Sequence, residues 1–213
     1  MKKSVHNINI QVYVTDTSAL KDPILYNKLL EKMPNYRKEK INNFNFPKDR
    51  NLSLAAGVLL SYSLKKNGYA EEELEIAYGE FEKPYFKNHP ELNFNLAHSG
   101  ERAICAIAIS KQPLGNEIGC DVEENTPEQI EYLKEYNMSV EQWTRLESYA
   151  KATQTDLEKL FYGEASIMPG FMFTHPEIEP NYEYNICCRS KIPSENIQYV
   201  DLKELYREKL FYE

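Results

Sequence analysis

Asp121 and Glu123 lie two residues apart in Ile118-Gly119-Cys120-Asp121-Val122-Glu123, and Glu147 and Lys151 lie four apart in Trp143-Thr144-Arg145-Leu146-Glu147-Ser148-Tyr149-Ala150-Lys151. The first run reads as a short strand, in which alternate residues share a face. The second reads as a helix with Trp143, Glu147 and Lys151 along one side. Strand packed on helix would bring three carboxylates and one ammonium to a point. Two like charges about 4 Å apart repel by roughly 4 kcal/mol at an effective dielectric near 20, and a hard divalent cation removes that penalty. Few protein ligands, with room left for phosphate oxygens, suit Mg²⁺ better than Ca²⁺. The same residues admit a plainer reading. Asp121 and Glu123 could form salt bridges, Glu147 could lie on a solvated face, and Lys151 could make an i,i+4 pair worth about 0.2–0.5 kcal/mol.

The helix has a start signal, because Ser139-Val140-Glu141-Gln142 spells a capping box. Thr126-Pro127-Glu128-Gln129 spells another just upstream, with Pro at the first helical position. Before the carboxylate strand, Leu92-Asn93-Phe94-Asn95-Leu96 alternates as a strand, His98-Ser99-Gly100 turns the chain, and Ala103 to Ile109 returns. Gln112-Pro113-Leu114-Gly115-Asn116 is a further turn. The expectation is a three-strand meander with His98 at one end. A lone histidine is usually structural, yet in a polar turn it is free to contact an anion. Lys83-Pro84-Tyr85 reads as a turn.

Elsewhere, Asn7 to Val14 alternates as a half-buried strand and residues 23–44 look helical. A second helix runs from about 49 to 66, with Leu52, Ala55, Ala56, Leu59 and Leu60 on its apolar side, and stops at Asn67-Gly68. Tyr182 to Cys188 and Asn196 to Val200 read as strands, and a short amphipathic helix starts at Asp201. Helices and strands mix without regular βαβ alternation, so the class is α+β.

The chain's 213 residues, 42% hydrophobic and 27% charged, fit one large or two small soluble globular units. A net charge of −8 argues against a nucleic-acid binder. The segment with Arg37, Lys38, Lys40, Lys48 and Arg50 is locally basic, which suits a small phosphorylated ligand or a solvated helix face. No apolar run approaches the ~18 residues of a membrane span, and the basic N-terminus has no apolar region after it, so a cytoplasmic location and no membrane partner are expected. Cys105, Cys120, Cys187 and Cys188 show no metal-ligand spacing and read as buried free thiols.

Taken together, Lys83-Pro84-Tyr85, Phe94-Asn95-Leu96-Ala97-His98-Ser99-Gly100, Gly119-Cys120-Asp121-Val122-Glu123 and Trp143 to Lys151 resemble the 4′-phosphopantetheinyl transferases. The likeness is to the long, monomeric type that serves peptide and polyketide synthases. It implies two similar α+β halves in a pseudo-twofold arrangement, residues 1–110 and 111–213, with coenzyme A in the cleft between them. It implies Mg²⁺ held by Asp121, Glu123 and Glu147, with Lys151 and His98 on the phosphates. Arg37, Lys40, Lys83 and Pro84 would grip the nucleotide end. A serine of an acyl or peptidyl carrier protein would attack the β-phosphate, Glu147 would take its proton, and adenosine 3′,5′-bisphosphate would leave.

Four features depart from the family's pattern. Leu146 replaces a usual lysine, Gln154 and Asp156 stand where two glycines usually follow the helix, Ala97 replaces a serine, and the segment between Glu123 and Trp143 is short. An alternative is therefore a diverged coenzyme A or carrier-binding protein with little or no transferase activity. A Mg²⁺-dependent phosphohydrolase would use the same carboxylates.

Overall fold

The computed structural model describes residues 8–111 and 117–207. The turn expected at 112–116, and Asn7 of the first strand, lie outside the described residues. The strands are β1 (Ile8–Asp16), β2 (Ile76–Tyr78), β3 (Pro84–Phe86), β4 (Leu92–Ser99), β5 (Arg102–Ser110), β6 (Ile118–Glu124), β7 (Met172–Thr174), β8 (Tyr182–Cys188) and β9 (Ile197–Tyr199). The α-helices are α1 (Pro23–Lys32), α2 (Asn35–Asn42), α3 (Pro47–Lys66), α4 (Pro127–Lys134), α5 (Val140–Thr153), α6 (Leu157–Phe161) and α7 (Leu202–Arg207). The fold is α+β, as the mixed pattern implies. Among the described residues no helix is long and apolar enough to cross a membrane.

A four-stranded sheet runs β4-β5-β1-β9 and a three-stranded sheet runs β6-β8-β7, with β2 and β3 as a separate ribbon. Alternation along each strand builds the layers. Tyr13, Phe94, Ala103, Cys105 and Ile107 face α3 in one core. Val12, Val14, Ile104 and Ala106 point the other way, onto Cys120, Val122, Tyr184 and Ile186 of the smaller sheet. The next residues on that sheet's strands face α5, where Cys187 packs with Tyr149, Ala152 and Leu160. The order is helices, sheet, sheet, helices. The C-terminal strand β9 crosses back to pair parallel with β1, so the tail packs on the N-terminal sheet.

Three sequence expectations need correction. Residues 23–44 form two helices because Pro34 cannot donate a backbone hydrogen bond and drives Met33 to extended φ/ψ of −71° and 146°. The meander also ends after two strands. β1 takes the place beside β5, and β6 pairs with β8 instead. The Lys83-Pro84-Tyr85 stretch, read as a turn, enters strand β3. All four cysteines are buried and free.

Arg37, which the resemblance implied at the nucleotide end, lies on α2. The guanidinium is buried in the N-terminal half, with Nε 2.8 Å from Glu71 Oε1. Tyr36 and Ser61 hydroxyls also donate to the Glu71 carboxylate. Burial opposes the Arg37 charge, but Glu71 and Tyr36 more than offset it and hold the pKa above the ordinary value. The ion pair ties α2 to the turn that follows α3, and through the Ser61 hydroxyl to α3 itself.

Candidate active site

β4 and β6 are edge strands of different sheets lying side by side. An edge strand has a row of unpaired backbone groups, and here side chains from the N-terminal half take them up. Asn95 Oδ1 accepts from the Cys120 amide at 2.8 Å. Ser99 Oγ accepts from the Glu124 amide at 3.2 Å and donates to Glu123 Oε2 at 3.0 Å. Lys83 Nζ donates to the Ile118 carbonyl at 2.8 Å. These bridges hold the Asp121/Glu123 strand at the seam, and they explain why the meander does not continue.

The helix side is fixed as the capping box predicts. Ser139 Oγ accepts from the Gln142 amide and the Gln142 side chain accepts from the Ser139 amide. α5 then approaches β6 so closely at Gly119 that an added Cβ would lie 2.0 Å from the Ser148 carbonyl oxygen and 2.4 Å from the Ala152 nitrogen. Ser148 sits directly after Glu147, so this approach sets how near the helix carboxylate comes to the strand.

One carboxylate oxygen from each of Asp121, Glu123 and Glu147 lies within 4.8 Å of the other two. Lys151 Nζ donates to Asp121 Oδ1 at 2.5 Å and to Glu147 Oε2 at 2.9 Å. Asp121 is 2% exposed, and its Oδ2 has no hydrogen-bond partner. Burial raises the Asp121 pKa well above the usual carboxylate range, the Lys151 charge opposes that, and the Glu147 charge adds to it. Burial raises Glu123 too, opposed by the Ser99 hydrogen bond. Burial pulls the Lys151 ammonium down, but Asp121 and Glu147 outweigh it and the net shift is upward. Desolvated negative charge with an unfilled oxygen is the environment that a small hard cation satisfies. The residues therefore fit Mg²⁺.

A cavity of about 330 Å³ opens beside the cluster, lined from one half by Lys83, Pro84 and Asn95 and from the other by Glu147, Lys151 and Gln154. Burial lowers the Lys83 ammonium to about 8, and among the described residues no carboxylate is bonded to it. His98 is exposed at the end of β4. The surrounding protein pushes its pKa down, and the Lys151 and Lys40 charges add to that, so each ammonium lies within electrostatic reach of His98. Lys40 is exposed on α2. Of the residues singled out from sequence, Asp121, Glu123, Glu147, Lys151, Lys83 and Pro84 meet at the seam, His98 and Lys40 flank it, and Arg37 does not join them.

Sequence reasoning missed the bridging work of Asn95 and Ser99, although both lie in the quoted His98 motif. It also passed over Asn185, a buried polar residue between Tyr184 and Ile186 in β8. Leu146 packs against the Tyr149–Leu160 cluster and brings no charge to the site. Gln154 caps α5 in the left-handed region, at φ 55° and ψ 39°, where a glycine sits without strain. Replacing Gln154 with Gly should raise stability by about 0.5–1 kcal/mol and Tm by about 2 °C, read by thermal unfolding. A lower Tm would show that the Gln154 side chain, which reaches Gly79, matters more than the backbone strain.

Residues 23–110 match the family described as 4′-phosphopantetheinyl transferase, N-terminal. The chain is similar to a Bacillus subtilis 4′-phosphopantetheinyl transferase, 29% identical over 122 residues, covering 56% of this chain and 51% of that protein. It is similar also to the 4′-phosphopantetheinyl transferase Sfp of Bacillus subtilis strain 168, 30% identical with the same coverage. The chain thus spans about half the length of the curated relatives it matches.

Proposed function

We propose that the protein transfers the 4′-phosphopantetheine group of coenzyme A to a serine of an acyl or peptidyl carrier protein, releasing adenosine 3′,5′-bisphosphate, as a cytoplasmic monomer. The observation that carries this reading is the carboxylate trio with its unfilled buried oxygen, placed beside Lys151 and Lys83 at the mouth of a cavity. Asp121, Glu123 and Glu147 would hold Mg²⁺, and the chemistry the ion would supply there is charge neutralisation and Lewis-acid polarisation of a phosphate ligand. Glu147, the more exposed of the two carboxylates paired with Lys151, takes the proton of the serine hydroxyl. The serine oxygen bonds to the β-phosphate phosphorus as the bond to the bridging oxygen breaks, and that electron pair leaves with adenosine 3′,5′-bisphosphate. Lys151 stabilises the charge that develops there. Lys83 and Pro84 hold the nucleotide end, with His98 and Lys40 toward the phosphates. Arg37 acts at one remove, by anchoring the helix that carries Lys40.

The test is mass spectrometry of apo-carrier protein incubated with coenzyme A, Mg²⁺ and this protein. A phosphopantetheine adduct is expected, and its absence across a panel of carriers overturns the reading. Leu146, which supplies packing where the family usually has a lysine, supports a second reading as a coenzyme A or carrier-binding protein. Tight coenzyme A binding in calorimetry without turnover would select that one.

The Lys83 assignment carries its own pH signature. An anionic ligand prefers the charged amine, so coenzyme A affinity should fall as pH rises past about 8, the value burial gives this group. Lys83→Met should bind about tenfold more weakly at pH 7 and lose that decline. Parallel titration of both proteins from pH 7 to 9 separates Lys83 from the ligand's own groups. Identical slopes would remove Lys83 from the binding site.

A further inference from the structure

Among the described residues, two buried side-chain oxygens lack a hydrogen-bond partner: Asp121 Oδ2 and Asn185 Oδ1. The two residues stand directly opposite each other in the β6–β8 ladder. They are 2% and 1% exposed. Opposed residues of an antiparallel pair project to the same face, with Cβ atoms about 4.5–5.5 Å apart. That face is the one α5 covers, since the next pair along, Gly119 and Cys187, packs on Ser148, Tyr149 and Ala152. With Asp121 ionised, two acceptors on the same buried face cannot satisfy each other. Leaving a buried acceptor empty costs about 1–3 kcal/mol, and here two are left empty at a single ladder position.

What such a position fits is a group that donates to one oxygen while binding the other. A hydrated divalent cation does both, because Mg²⁺ keeps several of its waters, and those waters are hydrogen-bond donors. We propose that Asn185 is a positioning residue of the cation site, its carbonyl oxygen accepting a hydrogen bond from the water shell of an ion held through Asp121 Oδ2. The inference rests on the reading of Asp121, Glu123 and Glu147 as a Mg²⁺ site. A neutral amide suits the role. It supplies an acceptor without adding a fourth negative charge to a cluster that already holds three, and it orients the water shell as other outer-shell partners orient ligands.

The experiment uses the full chain with Mg²⁺ and Mn²⁺, measuring affinity by calorimetry and by Mn²⁺ electron paramagnetic resonance, alongside metal-free thermal unfolding. Asn185→Leu keeps the volume and removes the acceptor. It should weaken both ions by 10–100-fold and leave the metal-free Tm unchanged or higher, since no hydrogen bond is lost. Asn185→Asp restores an acceptor oxygen and should bind within tenfold of the parent chain or more tightly. Parent-like affinity in Asn185→Leu overturns the role of Asn185 while leaving the carboxylate site standing. Equal loss of metal-free stability and of affinity in both variants marks Asn185 as structural and overturns it too. Failure of the parent chain to bind either ion overturns the carboxylate site and this inference together.

Discussion

Replacing Asp121 with Asn should abolish Mg²⁺ binding and lower phosphopantetheine transfer at least a thousandfold, without destabilising the metal-free protein. The side chain keeps its shape, and the amide oxygen can still accept from Lys151, which Asp121 now binds at 2.5 Å. The other oxygen, buried and unpartnered, becomes an NH₂ group that repels a cation. A thousandfold loss is about 4 kcal/mol of transition-state stabilisation at 1.36 kcal/mol per decade. The fold pays little for the change, because the variant removes a buried carboxylate whose charge is disfavoured by burial and by Glu147. Lys151 keeps Glu147 as its partner. The measurement is a thermal scan with and without Mg²⁺ beside the carrier-loading assay. A variant whose Tm still rises with Mg²⁺ would place the ion elsewhere.

That expectation rests on a site legible in the sequence for a specific reason. Two periodicities, two residues in β6 and four in α5, placed Asp121, Glu123, Glu147 and Lys151 on facing surfaces, and the capping box at Ser139 fixed the helix start. Local spacing sufficed because each pair lies within one element. What was not legible depends on contacts between elements. Arg37 carries the charge a phosphate ligand would need, but its partner Glu71 lies on a different segment and no spacing connects them. β6 reads as the third strand of a meander, because alternation does not say which edge a strand will join. The side chains of Asn95, Ser99 and Lys83 decide that by taking its backbone groups. Asn185 was invisible for the same reason, since its meaning comes from the register that sets it opposite Asp121.

The residue on which the site's geometry turns is one with no side chain. Gly119→Ala should destabilise the protein by about 3 kcal/mol, the upper end for an overpacked core, and lower Tm by about 10 °C for a chain of this size. The new methyl would meet the Ser148 carbonyl oxygen at 2.0 Å and the Ala152 backbone at 2.4 Å. These are backbone atoms of the helix, with no rotamer to yield, so α5 itself must move by more than an ångström to restore ordinary contact. Glu147 and Lys151 ride on that helix, whereas Asp121 and Glu123 stay with the sheet. The carboxylate oxygens now lie within 4.8 Å of one another, and a cation with ligands at about 2.1 Å tolerates little further separation. Mg²⁺ affinity should therefore fall at least tenfold in the fraction that folds, a loss that stability alone does not explain. Gly57→Ala is the control. Its nearest neighbours are side-chain atoms of Arg37 and Met33 at 3.2 and 3.3 Å, and it should cost less in Tm and nothing in Mg²⁺ affinity. If Gly119→Ala matched the parent chain in both measurements, the close approach of α5 to β6 would not be what assembles the carboxylates.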